Sequence, residues 1–158
     1  MEKQVCEKMK EGYYIYNNEA IACSTIILVL QEVTRLDISK LCLVLPFLLD
    51  EKTVSLLEKN LDNGMLMNDI ISNNPNCFSS FNRRYVALLP ILINSITILY
   101  DAHIIKVFRK EILYSFTNIN FNDCGERFNR IRKISSSFAM ILNNTQTTEL
   151  YKALKIQL

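Results

Sequence analysis

The chain of 158 residues holds a single histidine, His103, with Asp101 two positions before it. A histidine beside a carboxylate is the beginning of a general-base arrangement. To work as one it needs a nucleophile or a bound water within hydrogen-bond reach, and a further group to orient the ring. No such partner stands at a recognisable spacing, and a place in a turn explains His103 more simply; a small hydrolase built on it is the weakest reading. Asp50 with Glu51, and Asp37, are the remaining carboxylate candidates. Each adjoins an expected helix start, where capping of free N–H groups accounts for it.

Five cysteines (Cys6, Cys23, Cys42, Cys77 and Cys124) lie far apart, with no CxxC pair. That spacing argues against a zinc knuckle and against a disulfide scaffold. Cys23 and Cys42 sit in apolar runs as small buried hydrophobes, which fits a reducing, cytoplasmic compartment. Three glycines and one histidine leave little for a phosphate-cradling loop or a histidine metal site. The expectation is therefore no catalytic residue, no cofactor, no metal, and a protein that is not an enzyme.

The remaining chemistry is cationic. Arg127, Arg130, Arg132 and Lys133 cluster on one expected helix, where 127 neighbours 130 and 130 neighbours 133. Arg83 and Arg84 could extend the patch. Residues 1–80 carry 7 Lys and Arg against 11 Asp and Glu; residues 81–158 carry 11 against 5. The formal net charge of +2 thus conceals an acidic first half and a basic second half, the sign of a polyanion or acidic partner facing the latter. The six cations are the candidate partner or nucleic-acid contacts.

These residues need a scaffold, and apolar periodicity supplies one. With 49% hydrophobic and 22% charged residues the chain has ordinary globular composition. Asn17 and Asn18 cap a first helix over about 18–36. Asp37 or Ser39 starts a second apolar segment, Ile38–Leu49, that Pro46 should kink. Short helices follow over Thr53–Asn60 and Asp62–Ser72, with Asn73–Asn76 as a turn. Phe78–Ile93 reads as a longer helix bent by Pro90. From Ser95 the β-branched runs Ile96–Tyr100 and Ile104–Phe108, around Asp101–His103, predict a β-hairpin. Residues 109–121 are strand or loop. Asp123 caps a helix to about Leu142, and Thr148–Ile156 forms the last.

The fold class is mainly α with a small β-hairpin: a winged-helix-like core over about 17–108 and a C-terminal helical extension over about 109–158, within one domain spanning 1–158. Met1–Gly12 alternates charge and does not read as a secretory segment. Ala20–Leu30 and Tyr85–Tyr100 are too short to span a bilayer, which needs roughly 20 residues, so no membrane is expected.

Four segments, in order, resemble the middle component of bacterial ABC three-component systems, a family that includes the small subunit of Lamassu-type defence complexes. Asn18-Glu19-Ala20 opens an apolar helix. Leu41 to Asp50 is similar to the family's apolar stretch ending in Leu-Pro-Leu, with Thr53 following. Phe81-Asn82-Arg83-Arg84 resembles the aromatic-plus-arginine start of a later helix. The run from Arg132-Lys133-Ile134 through Thr148 to Ile156 resembles the family's closing pattern. Glu19 stands for the usual Pro, Val54 for the Arg after Thr53, and Ser for the Gly of the last long helix.

The resemblance, over about 17–158, implies a non-catalytic adaptor between an ABC ATPase of the SMC and Rad50 kind and an effector, often a nuclease, in antiviral or anti-plasmid defence. Its partners would be that ATPase subunit and the effector nuclease subunit, with DNA reached through the complex. The alternative is a winged-helix DNA-binding protein acting independently.

Overall fold

The structure, a computed structural model, describes residues 19–157. Asn17 and Asn18, Cys6 and the Met1–Gly12 segment lie outside the described residues. Helix α1 covers residues 19–33. It is followed by β1 (Arg35–Asp37), α2 (Ile38–Leu48), α3 (Glu51–Leu61), α4 (Met67–Asn73), α5 (Pro75–Phe78) and α6 (Phe81–Asp101). Strands β2 (Ile105–Phe108) and β3 (Glu111–Tyr114) then lead to α7 (Glu126–Asn144) and α8 (Thr147–Ala153). The fold is mainly helical with a small antiparallel sheet in the order β1-β3-β2.

Helix α2 is the centre of the core. Leu41, Leu43, Val44, Leu45, Pro46, Phe47 and Leu48 are all buried, covering almost the whole circumference. Phe47 meets Phe81, Phe138 and Phe78 at ring-centroid distances of 4.8, 5.5 and 5.9 Å, joining α2, α5, α6 and α7 in one aromatic cluster. Pro46 does not interrupt the helix: close packing on every side holds the turn although one backbone bond is missing.

The carboxylates at the helix starts cap them. Asp37 Oδ1 accepts from Ser39 N at 2.7 Å, and Asp50 Oδ2 accepts from Thr53 N at 2.9 Å and Thr53 Oγ1 at 2.7 Å. Both accept at N–H groups that a first helical turn leaves unpaired.

Several expected boundaries move. The first helix ends at 33 rather than about 36, and Arg35–Asp37, expected to close it and to cap the next, is a strand. It escapes notice because three residues become a strand only through pairing with β3. The third helix is longer than expected, and the helix placed over 62–72 begins only at Met67, after a turn. Pro75–Phe78, within and beyond the expected turn, is a short helix with Pro at its start, where the missing N–H costs nothing. The last long helix is capped at Gly125 and runs to Asn144; Asp123, the expected cap, lies outside it with φ 53°.

The largest correction concerns α6. Residues 96–101 are not extended; the helix continues to Asp101, through Pro90. Leu92, Ser95 and Leu99 are buried at helical spacing, and this burial outweighs the β preference of Ile96, Thr97 and Ile98. The helix stops at a Schellman motif: His103, at φ 58°, donates to Tyr100 O and Ile104 N donates to Leu99 O, both at 3.0 Å. The hairpin is β2–β3, turning at Arg109–Lys110 rather than at 101–103. Its inner face, Ile105, Ile112 and Tyr114 with Leu36 of β1, is buried. The alternate residues Arg35, Lys106, Phe108 and Glu111 face outward.

Candidate functional site

His103 is exposed and serves the helix stop just described. Asp101 is exposed too, and no hydrogen bond joins the pair among the described residues. Cys23, Cys42 and Cys77 are half-buried and Cys124 is exposed, all as free thiols. Burial pushes the Cys23 and Cys42 thiols up, against thiolate formation. Among the described residues no group of His, Cys, Asp or Glu is placed to hold a metal ion.

The candidate cations separate into two groups. Four have partners within the fold. Arg127 Nη2 donates to Leu49 O at 2.7 Å, at the carbonyl end of α2 where the helix dipole favours a cation. Arg130 Nη2 meets Glu58 Oε2 at 2.9 Å and Ser55 Oγ at 2.8 Å, fastening α7 to α3, and the Arg130 guanidinium holds the Glu58 carboxyl below its ordinary value. Arg132 Nη1 donates to Phe121 O at 2.7 Å on another side of α7, beside an open cleft of about 390 Å³ lined by Gln31, Glu32 and Asn122. Arg84 bonds Thr53 Oγ1 at 3.2 Å, stands 3.7 Å from Asp50 Oδ2, and lies over the Phe81 ring. Arg83 and Lys133 are exposed, with no ion pair or side-chain hydrogen bond among the described residues. Arg132 thus bonds a different part of the fold from Arg84, Arg127 and Arg130, which gather at the Leu49–Glu58 region.

The sequence segments that invited comparison with a family converge in space. Asp50 and Thr53, closing the first apolar stretch, receive Arg84 from the start of α6, while Phe47 and Phe81 stack behind them. The C-terminal segment returns to the same body: Tyr151 Oη donates to Ser39 O at 2.8 Å, and Gln157 N donates to Asn82 Oδ1 at 3.1 Å. Tyr151 is held protonated by burial and by the Tyr85 hydroxyl, its pKa well above the ordinary tyrosine value.

A surface that charge and motif reading did not find lies on α6. Val86, Pro90, Ile93, Thr97 and Tyr100 are all exposed and recur at alternating four- and three-residue steps, one straight stripe about 21 Å long at 1.5 Å per residue. Ile93 is 61% exposed, Val86 and Tyr100 each 53%. Such spacing is the seam by which one helix packs on another. The sequence carries this signal as a second apolar phase beside Phe81, Tyr85, Leu92 and Leu99, masked by the β-branched run at 96–98. By length and composition alone, the helical stretch Pro75–Asp101 could cross a membrane.

The model of one family, ABC-three component (ABC-3C) system Middle Component 3, matches residues 9–158. No curated protein matches the chain, and no solved structure does.

Proposed function

Because the chain belongs to the ABC-three component system Middle Component 3 family, we propose that it is a non-catalytic cytoplasmic adaptor. In this reading it joins an SMC- or Rad50-like ABC ATPase subunit to an effector nuclease, in a Lamassu-type defence complex. The observation that carries the proposal is the α6 stripe. It is an apolar helical seam of exposed Val86, Ile93 and Tyr100 on a helix whose opposite face is locked into the core. Apolar surface arranged as a narrow stripe is what a partner helix buries. Lipid is the poorer occupant, since Asn94, Thr97 and Asp101 share the exposed side. Of the six candidate cations, Arg83 and Lys133 have no partner among the described residues and would meet acidic groups of the partners; Arg84, Arg127, Arg130 and Arg132 hold the elements that present them.

Co-purification of the tagged chain from its native operon tests this. The ATPase and effector subunits should be retained through washing, and an obligate contact should bury about 2,000 Å² or more. Recovery of the chain alone as a monomer refutes the adaptor role. The second reading, a winged-helix DNA-binding protein acting independently, draws its support from a long helix running directly into a β-hairpin in the basic half of the chain.

A further inference from the structure

The cations of α7 are largely committed, whereas those of the hairpin are not. Lys106, Arg109 and Lys110 fall within five residues at the β2–β3 tip and all are exposed. No acid forms an ion pair with them among the described residues. The nearest in sequence, Glu111, lies 3.9 Å from Arg35 instead, and Asp37 is occupied at its helix cap. Phe108, between them, is 57% exposed, and the Arg109 guanidinium lies over its ring at 5.3 Å.

The backbone adds an independent observation. Arg109 opens the two-residue turn at φ 56°, a left-handed conformation that glycine adopts freely and a long side chain adopts at a cost. Glycine would make the simpler turn. The tip is also rigid, since Lys110 O accepts from Ile38 N at 2.8 Å and so ties the turn to the start of α2. A lysine on an edge strand can deter strand-to-strand association, but that role needs neither an exposed ring nor an arginine in a glycine conformation.

Deepening the DNA-binding reading above, on which it rests, we propose that the β2–β3 tip is a contact for the phosphate backbone of double-stranded DNA. Lys106, Arg109 and Lys110 neutralise phosphates, and the Phe108 ring supports the Arg109 guanidinium. A two-stranded ribbon of this kind is narrow enough to enter a groove of the duplex. An acidic protein segment would satisfy the charges, but a two-stranded tip with its cations on an edge fits the regular spacing of duplex phosphates.

The test is fluorescence anisotropy of a labelled 20-base-pair duplex with the full chain, over salt steps from 50 to 200 mM. Three phosphate contacts predict a log–log slope of about −2.7 and a loss of about 40-fold across that range. Lys106→Gln with Lys110→Gln should bring the slope to about −0.9. Arg109→Gly, which relaxes the turn, should weaken binding while leaving the melting curve unharmed. The matched control, Lys52→Gln with Lys59→Gln, removes the same charge from α3 and should keep the parent slope. Absence of salt-dependent binding overturns the proposal, as does an equal fall in slope for tip and control pairs. So does a tip variant that binds DNA normally but loses its co-purifying subunits, which would make the tip a protein contact.

Discussion

Helices α2 and α6 look alike as sequences: both are apolar, and each has a proline inside. Their settings differ. Seven of the eleven α2 residues are buried, whereas the 21-residue α6 buries only Phe81, Tyr85, Leu92, Ser95 and Leu99. Pro46 leaves a backbone bond unmade inside the core. Pro90 leaves one unmade on an exposed face, beside Val86, where water can serve the freed carbonyl. Apolarity of a helix thus does not say whether its surface stabilises this chain or is kept for another. The phase of burial says it: α2 has no phase, and α6 has two, one turned inward and one outward.

The sharpest way to break that contrast is a charge in each helix. Leu45 is wholly buried in α2, among apolar core residues. Leu45→Asp should cost several kcal/mol and leave the chain without a cooperative melting transition. A normal thermal melt would show that α2 is not the core. The next effect belongs to the joint between α6 and the start of α3. Arg84→Ala removes the guanidinium that reaches Thr53 and Asp50 from α6, at a cost of about 1–3 kcal/mol. In a chain of this length each kcal/mol lowers Tm by about 2–4 °C. An unchanged Tm would mean that the Asp50–Thr53 cap alone holds this corner.

Much of this was legible in the sequence. Asp37 and Asp50 announced two helix starts because capping is a local interaction between residues two or three apart. The apolar run 41–49 was legible as a buried segment because it has no polar face. What stayed hidden depends on distant residues. Arg35–Asp37 becomes a strand only where Arg35, Leu36 and Asp37 meet Leu113, Ile112 and Glu111. The helical state of 96–101 is decided by what Ser95 and Leu99 pack against, which their own β-branched neighbours do not reveal. Arg127 and Arg130 read as a basic patch by spacing alone. Their acceptors, Leu49 O and Glu58, lie more than seventy residues away. The low glycine count was visible, but its consequence was not: Thr34, His103, Arg109 and Lys155 take left-handed conformations that glycine usually fills.

A smaller effect separates surface stitching from core packing. Arg130 lowers the Glu58 pKa by a hydrogen bond and by its charge. A carboxylate whose folded pKa lies below its unfolded value stabilises the fold above the unfolded value, and that contribution disappears as pH falls through the folded one. Arg130→Met should therefore lower Tm modestly at neutral pH, with the gap to the parent closing as pH drops through the carboxylate range. High salt should narrow the gap as well, since the pair is partly exposed. A gap that stays constant with pH would assign the loss to packing of the arginine stem instead.

The smallest expected effect on stability is the one that decides the meaning of α6. Ile93 lies at the middle of the exposed stripe, seven residues from both Val86 and Tyr100, and loses little apolar burial in the isolated chain because 61% of it already faces solvent. Ile93→Asp should move the melting free energy by no more than about 0.5 kcal/mol, in contrast to Leu45→Asp in the companion helix. The same substitution places a carboxylate at the centre of any helix–helix seam formed there, where it would lie desolvated and unpaired. Co-purification of the other system components should then fall away while the variant itself melts like the parent. If Ile93→Asp instead unfolds the chain, the outward phase of α6 is core. If it folds and still retains every partner, the stripe is bare surface, and the adaptor contact must be sought on the α7 and α8 side of the molecule.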